Sequence, residues 1–525
     1  MCFRIDVIKI IFRTFMKLSL FKTIIFIFII SLLFKPTWLF NNGTLTDEVD
    51  DLSYWLHSAT LSYDQDILYI NDYQLTNDTI SHITNAPFHA PGSGYMASPF
   101  VFLFSWLDIL FNGELPDRIN PVNTFSYAGY FASTLFYCYL AFLYLGKIQS
   151  KLSKNEVGII LFITFISTLV HFVTTRFLMS HVYEFFLVSI LIYLFDKNNN
   201  HFIDEKDLYK ILIAYFFLSI TRPSTFLFTI LFFGIFKLKF KSKKNTLISR
   251  ISLGAFAITL STIYVFLAKT IYAESTIGLN ISSNSTTSGY LSNFNLERVF
   301  SGFLDLFNIF FSTSMGIAWS TPIVLIGICV LLLKNNTYLD LRMIYVSIYI
   351  LSYFLVLFIW QGSEVAYGQR LLIGLTPFMC YVVLKIKDLR FFKLPLLFSS
   401  IITYVGYIYF YSSQNLTLRF GENLYGNITK WSAESYYLFL FKEIFYIENI
   451  ISVLSRTIYA INFFKFSNFD SLKLFITRYI NLDTSKVEKL ESYVASYESI
   501  NSLYFLIITI LIICFSYLFQ KLLRD

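Results

Sequence analysis

"YAGYFASTLFYCYLAFLYLGKIQSKLSK", residues 127–154, decides how this chain is built. Tyr127–Leu145 carries no charge, and Lys147, Lys151 and Lys154 follow at once. A helix rises ~1.5 Å per residue, so an apolar run of this length reaches across a bilayer core of ~30 Å. Lysines gathered at one end mark the side on which that helix stays cytoplasmic.

The rest of the chain repeats the pattern. Of 525 residues 56% are hydrophobic and 14% charged, with 60 Phe and 37 Tyr, and the mean hydropathy is +0.60. Soluble domains carry about 25% charged residues. Lipid satisfies no backbone hydrogen bond, and no segment alternates as barrel strands do, so the chain reads as an all-α polytopic membrane protein. The net charge of +7 resides in short loops between apolar runs; it reports topology and excludes a nucleic-acid partner. Cys2, Cys138, Cys329, Cys380 and Cys514 show no paired spacing, which argues against a disulfide framework or a thiolate metal site.

Charge placement threads the chain. Arg4, Lys9, Arg13, Lys17 and Lys22 put residues 1–17 in the cytoplasm, and Leu18–Phe40 leaves outward as a retained anchor. Tyr127–Leu145 returns. Between them Ala97–Phe111 is short, holds Pro99 and Asp108, and would break the charge parity if it crossed, so it is expected along the outer interface. Val157–Val173 goes out and Leu178–Phe195 comes back. Leu208–Phe236 is broken by "TRPST" and predicts two shortened helices meeting near Arg222–Pro223. Ile251–Ile271, Thr321–Leu333, Met343–Trp360, Leu371–Leu384, Leu394–Tyr411 and Leu503–Phe519 then alternate. About twelve spans with both termini cytoplasmic satisfy every basic cluster. The bundle covers residues 18–411 with outer loops at 41–126 and 272–320; a helical outer segment follows at 412–502, and 503–525 hold the last span and tail.

On this topology the unusual polar residues share the outer face. "TDEVDDLSYWLHSATLSYDQDILYINDY", residues 46–73, is densely acidic and aromatic. His89 in "HAPGSG", His181 in "MSHVYEFF", Arg222 at the helix break, and Arg370 in "WQGSEVAYGQR" fall on the same side. Carboxylates, imidazoles and guanidiniums converging at one membrane face suit a catalytic or transport site.

In this order the phrases resemble the GT-C glycosyltransferases, membrane enzymes that use polyprenyl-phosphate sugars and include protein O-mannosyltransferases and lipid A aminoarabinose transferases. An acidic pair soon after the first span with an aromatic three residues on matches Asp50, Asp51 and Tyr54, and "DQDILYINDY", residues 64–73, resembles a second acidic phrase. Gly316, Trp319, Tyr367, Arg370 and Pro377 match later phrases, whereas Gln369 stands where bacterial members often carry Pro. The resemblance runs over almost the whole chain but singles out no acceptor.

The resemblance implies inverting single displacement on the outer side of a bacterial inner membrane, with a polyprenyl-phosphate-sugar donor and an envelope glycolipid or protein acceptor. It places the base on Asp50, with Asp51 as the rival. A carboxylate beside another, partly desolvated, is suited to accept a hydroxyl proton. Guanidiniums suit the departing phosphate, which points to Arg222 and Arg370. Tyr54, Trp55 and Tyr69 offer faces to a sugar, and Asp66, His89, His181 and Tyr367 complete the expected substrate contacts.

Plainer roles compete. Asp64 and Asp66 also suit loop ordering, His181 a helix-start hydrogen bond, and Arg370 an interfacial anchor. His57, His82 and His89 with the acidic loop offer ligands to a divalent metal, but their spacing fits no zinc rule. Two other functions stay open: an O-antigen polymerase or ligase, whose large outer loop comes late as residues 412–502 do, and a lipid-linked sugar transporter or flippase, which calls for paired broken helices and related halves.

Overall fold

The structure, a computed structural model, describes residues 49–67, 89–118, 124–165, 167–174, 176–199, 202–222, 321–333 and 370–386, with Pro121, Thr225, Phe226 and Thr229. The first apolar run, the loop 272–320, the segment 412–502 and the spans beyond residue 386 lie outside the described residues. Nine α-helices and no strand occur among the described residues: α1 Val49–Ala59, α2 Gly92–Asn112, α3 Phe125–Gly146, α4 Lys154–Phe165, α5 Thr168–Thr174, α6 His181–Lys197, α7 Glu205–Thr221, α8 Pro322–Leu333 and α9 Thr376–Leu384. A π-helical turn, Thr60–Asp64, continues α1, and a 3₁₀ turn, Arg370–Leu375, precedes α9. By length and composition α2 and α3 can each cross a membrane.

The opening stretch forms most of α3, the more enclosed of the two helices long enough to cross a membrane. Its tyrosine hydroxyls and small polar residues find partners inside. Tyr130 Oη donates to the Leu178 carbonyl at 2.9 Å. Tyr183 Oη meets Ser133 Oγ at 2.9 Å and Thr134 Oγ1 at 3.1 Å, while Thr134 Oγ1 also reaches the Phe177 carbonyl at 2.8 Å. A buried hydroxyl without a partner costs free energy, so these bonds are what let so aromatic a helix sit at the centre. Rings carry the α3–α6 seam, with Phe142 5.4 Å from Phe185 and Tyr144 5.3 Å from Tyr193.

Helix α2 differs from its expectation. At 21 residues it exceeds the segment Ala97–Phe111, so shortness is no argument for an interfacial position. Neither residue thought to exclude it from a membrane is left unaccommodated. Pro99 offers no N–H to the Tyr95 carbonyl, and Ser98 Oγ bonds that carbonyl instead at 2.8 Å. Asp108 is fully buried and receives the Phe125 amide at 2.8 Å, the Ser126 amide at 2.7 Å and Ser126 Oγ at 2.6 Å. It therefore caps the first turn of α3 from the neighbouring helix, meeting orphan amides and the positive end of the dipole. Asp108→Ala should strip that cap and lower stability by about 3 kcal/mol, several charge-assisted bonds being lost together. Thermal unfolding in detergent checks this, and Asp108→Asn should recover part of the loss.

The run Val157–Val173, expected as one span, is two helices, α4 and α5. Thr164 Oγ1 bonds the Ile160 carbonyl at 2.8 Å and Ser167 Oγ the Thr164 carbonyl at 2.6 Å, side-chain bonds of the kind that bend or interrupt helices. Thr168 then joins Thr321, just before α8, hydroxyl to hydroxyl at 2.8 Å. Helix α7 ends as the sequence predicts, at Thr221 beside Arg222 and Pro223.

Polar contacts also tie the lysine-rich end. Lys385 Nζ, just after α9, lies 2.6 Å from Asp196 Oδ1 of α6 and donates to the Gln149 carbonyl at 2.9 Å. Ser150 Oγ donates to the Leu384 carbonyl at 2.5 Å. Asp207 at the start of α7 accepts from Lys197 Nζ at 2.8 Å and Asn198 Nδ2 at 2.9 Å.

Candidate functional site

At the opposite end of α3, α6 and α7, polar residues from five separate stretches meet. The first is α1, whose sequence VDDLSYWLHSA sets polar and aromatic side chains on different sides of one helix. Asp51 and Tyr54 lie one turn apart and are both buried. Asp51 Oδ2 is 3.0 Å from Arg176 Nε, in the turn before α6. Tyr54 Oη shares a hydrogen with Ser180 Oγ, the residue before α6, at 3.2 Å. Trp55 points the other way, fully buried between Tyr127 and Tyr130, and its Nε1 donates to the Arg118 carbonyl at 2.9 Å.

Helix α1 also holds His89. The His89 amide donates to Ser53 Oγ at 3.1 Å, and its ring stacks on Tyr54 at 4.6 Å with an interplanar angle of 9°. His57 Nε2 donates to the His89 carbonyl at 2.8 Å. Burial lowers His57 to a pKa of about 3, so the imidazole is neutral through the physiological range. Gly94, early in α2, is a close-approach position: a Cβ there would sit 2.5 Å from His57 Cβ and 2.9 Å from the Tyr54 carbonyl oxygen. The start of α2 is thus pressed onto α1 directly below His89.

The second half of the site centres on Glu184, one turn into α6 and 1% exposed. Thr225, beyond the α7 break, donates its hydroxyl to Glu184 Oε1. Glu184 Oε2 faces His181 Nδ1 at 3.5 Å and Arg222 Nε at 3.8 Å. The His181 ring packs on Phe172 of α5, with centroids 4.3 Å apart. Behind Glu184 passes the 3₁₀ turn that begins at Arg370; a Cβ on Gly374 would collide with Glu184 Oε1 and with the Thr225 side chain. Arg176 and Arg222 each keep about a fifth of the side chain exposed, 18% and 21%, while their carboxylate partners are almost wholly enclosed.

The structure therefore gathers Asp51, Tyr54, His89, His181 and Arg222 into one polar layer at one end of the bundle. Arg370 opens the turn that backs this layer. Asp50 occupies the second position of α1, but its side chain, that of Arg370, and Tyr367 lie outside the described residues. Asp66 stands just past a separate clip in which Arg118 grips Asp64 with both guanidinium nitrogens at 2.6 and 2.5 Å; Asp64 orders its loop. Tyr54 and Trp55, expected as platforms for a sugar, have their faces engaged by His89 and by the core. Among the described residues no three His, Cys, Asp or Glu side chains come together as metal ligands.

Two charged participants escape the sequence reading, Arg176 and Glu184, as do the hydroxyls of Ser180 and Thr225. The signal for Glu184 was present, an acid three residues after His181 inside an apolar run, where an ionisable group is costly without a partner. Arg176 gave less notice, because an arginine between two apolar segments looks like an interfacial anchor. Comparison with family models, with curated proteins and with solved structures finds no match to this chain, and the layer is read from its own geometry.

Proposed function

We propose that this chain is a membrane glycosyltransferase that moves a sugar from a polyprenyl-phosphate donor to an envelope acceptor. In this reading about twelve helices cross a bacterial inner membrane with both termini cytoplasmic, and the polar layer faces outward. One observation carries the proposal. Asp51 and Tyr54 of the acidic phrase, Arg222 of the "TRPST" phrase and the Arg370–Leu375 turn of the "YGQRLLIGL" phrase are far apart in sequence, yet they lie around the start of α6 through Asp51–Arg176, Tyr54–Ser180, Glu184–Arg222 and the close approach of Gly374 to Glu184. Transfer from a lipid phosphate needs a carboxylate for the acceptor proton and cations for the departing phosphodiester, and this layer supplies both residue types.

Asp51 is already matched by a guanidinium and enclosed, so its charge serves the packing of α1 on the turn before α6. Asp50, one residue earlier in sequence, is the base that the resemblance implies. Arg222 is the described guanidinium for the donor phosphate, with Arg370 as its companion. As the acceptor hydroxyl attacks the anomeric carbon, its proton passes to Asp50 and the polyprenyl phosphate leaves with the bonding electron pair. Mass spectrometry of envelope glycolipids and glycoproteins from cells with and without the chain tests this. The expected result is one sugar-sized mass difference on one acceptor class; identical profiles under expressing conditions count against it.

A further inference from the structure

We infer that Glu184 is a positioning residue that orients the candidate phosphate-binding Arg222 and sets the approach of the turn that opens at Arg370; this rests on the glycosyltransferase reading above. Glu184 is 1% exposed in a helix otherwise made almost entirely of apolar residues. A leucine or methionine would fill that space with no charge to desolvate, so stability alone gives no reason for an acid here. What the carboxyl does is join three chain segments. Oε1 takes the Thr225 hydroxyl, from the stretch just beyond Arg222. Oε2 faces Arg222 Nε at 3.8 Å and His181 Nδ1 at 3.5 Å. The backbone at Gly374, four residues after Arg370, lies so close to Oε1 that no side chain fits between them.

These contacts differ in kind. The Thr225 bond is short-range and fixes the carboxyl's rotation. The Arg222 contact is longer than a hydrogen bond, so the guanidinium is oriented by charge and stays part-exposed at the outer end. The Gly374 contact is steric, and it sets how far the turn carrying Arg370 approaches α6. A single carboxyl thus orients the Arg222 guanidinium and sets how near the turn that opens at Arg370 comes to it, and a grip on a phosphate needs such spacing held closely. Glu184 touches neither sugar nor phosphate and acts only through the arginines.

The test is binding of a long-chain polyprenyl phosphate to the full chain in nanodiscs, with the matching polyprenol as the phosphate-free control. Glu184→Gln keeps shape and the Oε1 acceptor but removes the charge, and it should weaken polyprenyl-phosphate binding by about tenfold. Arg222→Gln should weaken it comparably. The double variant Glu184→Gln/Arg222→Gln should be little worse than either single one, since both remove the same oriented guanidinium. Polyprenol binding should not change. Wild-type affinity in Glu184→Gln, or losses that multiply in the double variant, would overturn the inference while leaving the glycosyltransferase reading intact. A wild-type chain that prefers polyprenol or ignores both probes overturns the reading and this inference with it. Should Glu184→Gln fail to fold, Thr225→Val removes only the hydroxyl that fixes the carboxyl. It should weaken binding about threefold, the scale of one lost hydrogen bond, and unchanged binding in that variant would equally overturn the inference.

Discussion

Asp50→Asn is expected to insert, fold and melt like the wild type yet transfer sugar about 10²- to 10⁴-fold more slowly, the range a positioned general base contributes. The amide has nearly the volume of the acid and keeps the carbonyl oxygen, so the change is close to isosteric while proton acceptance is lost. Donor binding should be unaffected, because the proposed holders of the phosphate are the arginines and not the acidic pair. The useful comparison is Asp51→Asn, one residue on. If Asp50→Asn retains full transfer while Asp51→Asn loses it at undiminished stability, the roles within the pair are reversed. If both retain it, the acidic pair is not the reaction centre.

The second large effect is on stability. Arg176→Gln leaves Asp51 enclosed at 3% exposure without its guanidinium, in a helix whose other face is the Trp55 core. Removing one partner of a buried pair costs about 3–5 kcal/mol, and the partial exposure of Arg176 argues for the lower end. Thermal unfolding in detergent should show a clear fall for Arg176→Gln and for Asp51→Asn. The double variant Asp51→Asn/Arg176→Gln should be more stable than the sum of the single losses predicts, because two neutral partners leave no unpaired charge. Additive losses would mean that the two residues stabilise the fold independently.

The fold was legible where one physical signal dominated. The uncharged run of α3 and the lysines behind it fixed that helix, and the Arg222–Pro223 pair fixed where α7 stops. It was less legible where a polar side chain satisfies a neighbour rather than solvent. Asp108 and Pro99 looked like reasons to keep α2 out of a membrane, but Asp108 caps another helix and Ser98 takes over the bond that Pro99 cannot make. The break between α4 and α5 had the same origin, since Thr164 and Ser167 read as ordinary small residues until their hydroxyls are seen bonding to the backbone. In the site, single-residue chemistry was visible and pairing was not. Asp51, Tyr54, His89, His181 and Arg222 stand out in sequence, but the residues that connect them, Arg176, Ser180, Glu184 and Thr225, do so through contacts between distant segments that no local pattern encodes.

Lys385 carries two instructions at once. In the proposed topology it is, to the insertion machinery, one more positive charge that decides which way the preceding helix points. To the finished bundle it is a three-way junction among α9, Asp196 of α6 and the Gln149 carbonyl of the α3–α4 connection. Orientation during biosynthesis and tightness after it are therefore written in the same ammonium group. A lysine elsewhere in a loop can drift or be exchanged for arginine with its topological vote intact, but this one is pinned by geometry as well as by sign. Charge-reversal mapping of the topology at this position would misreport, scoring a loosened bundle as an inverted helix.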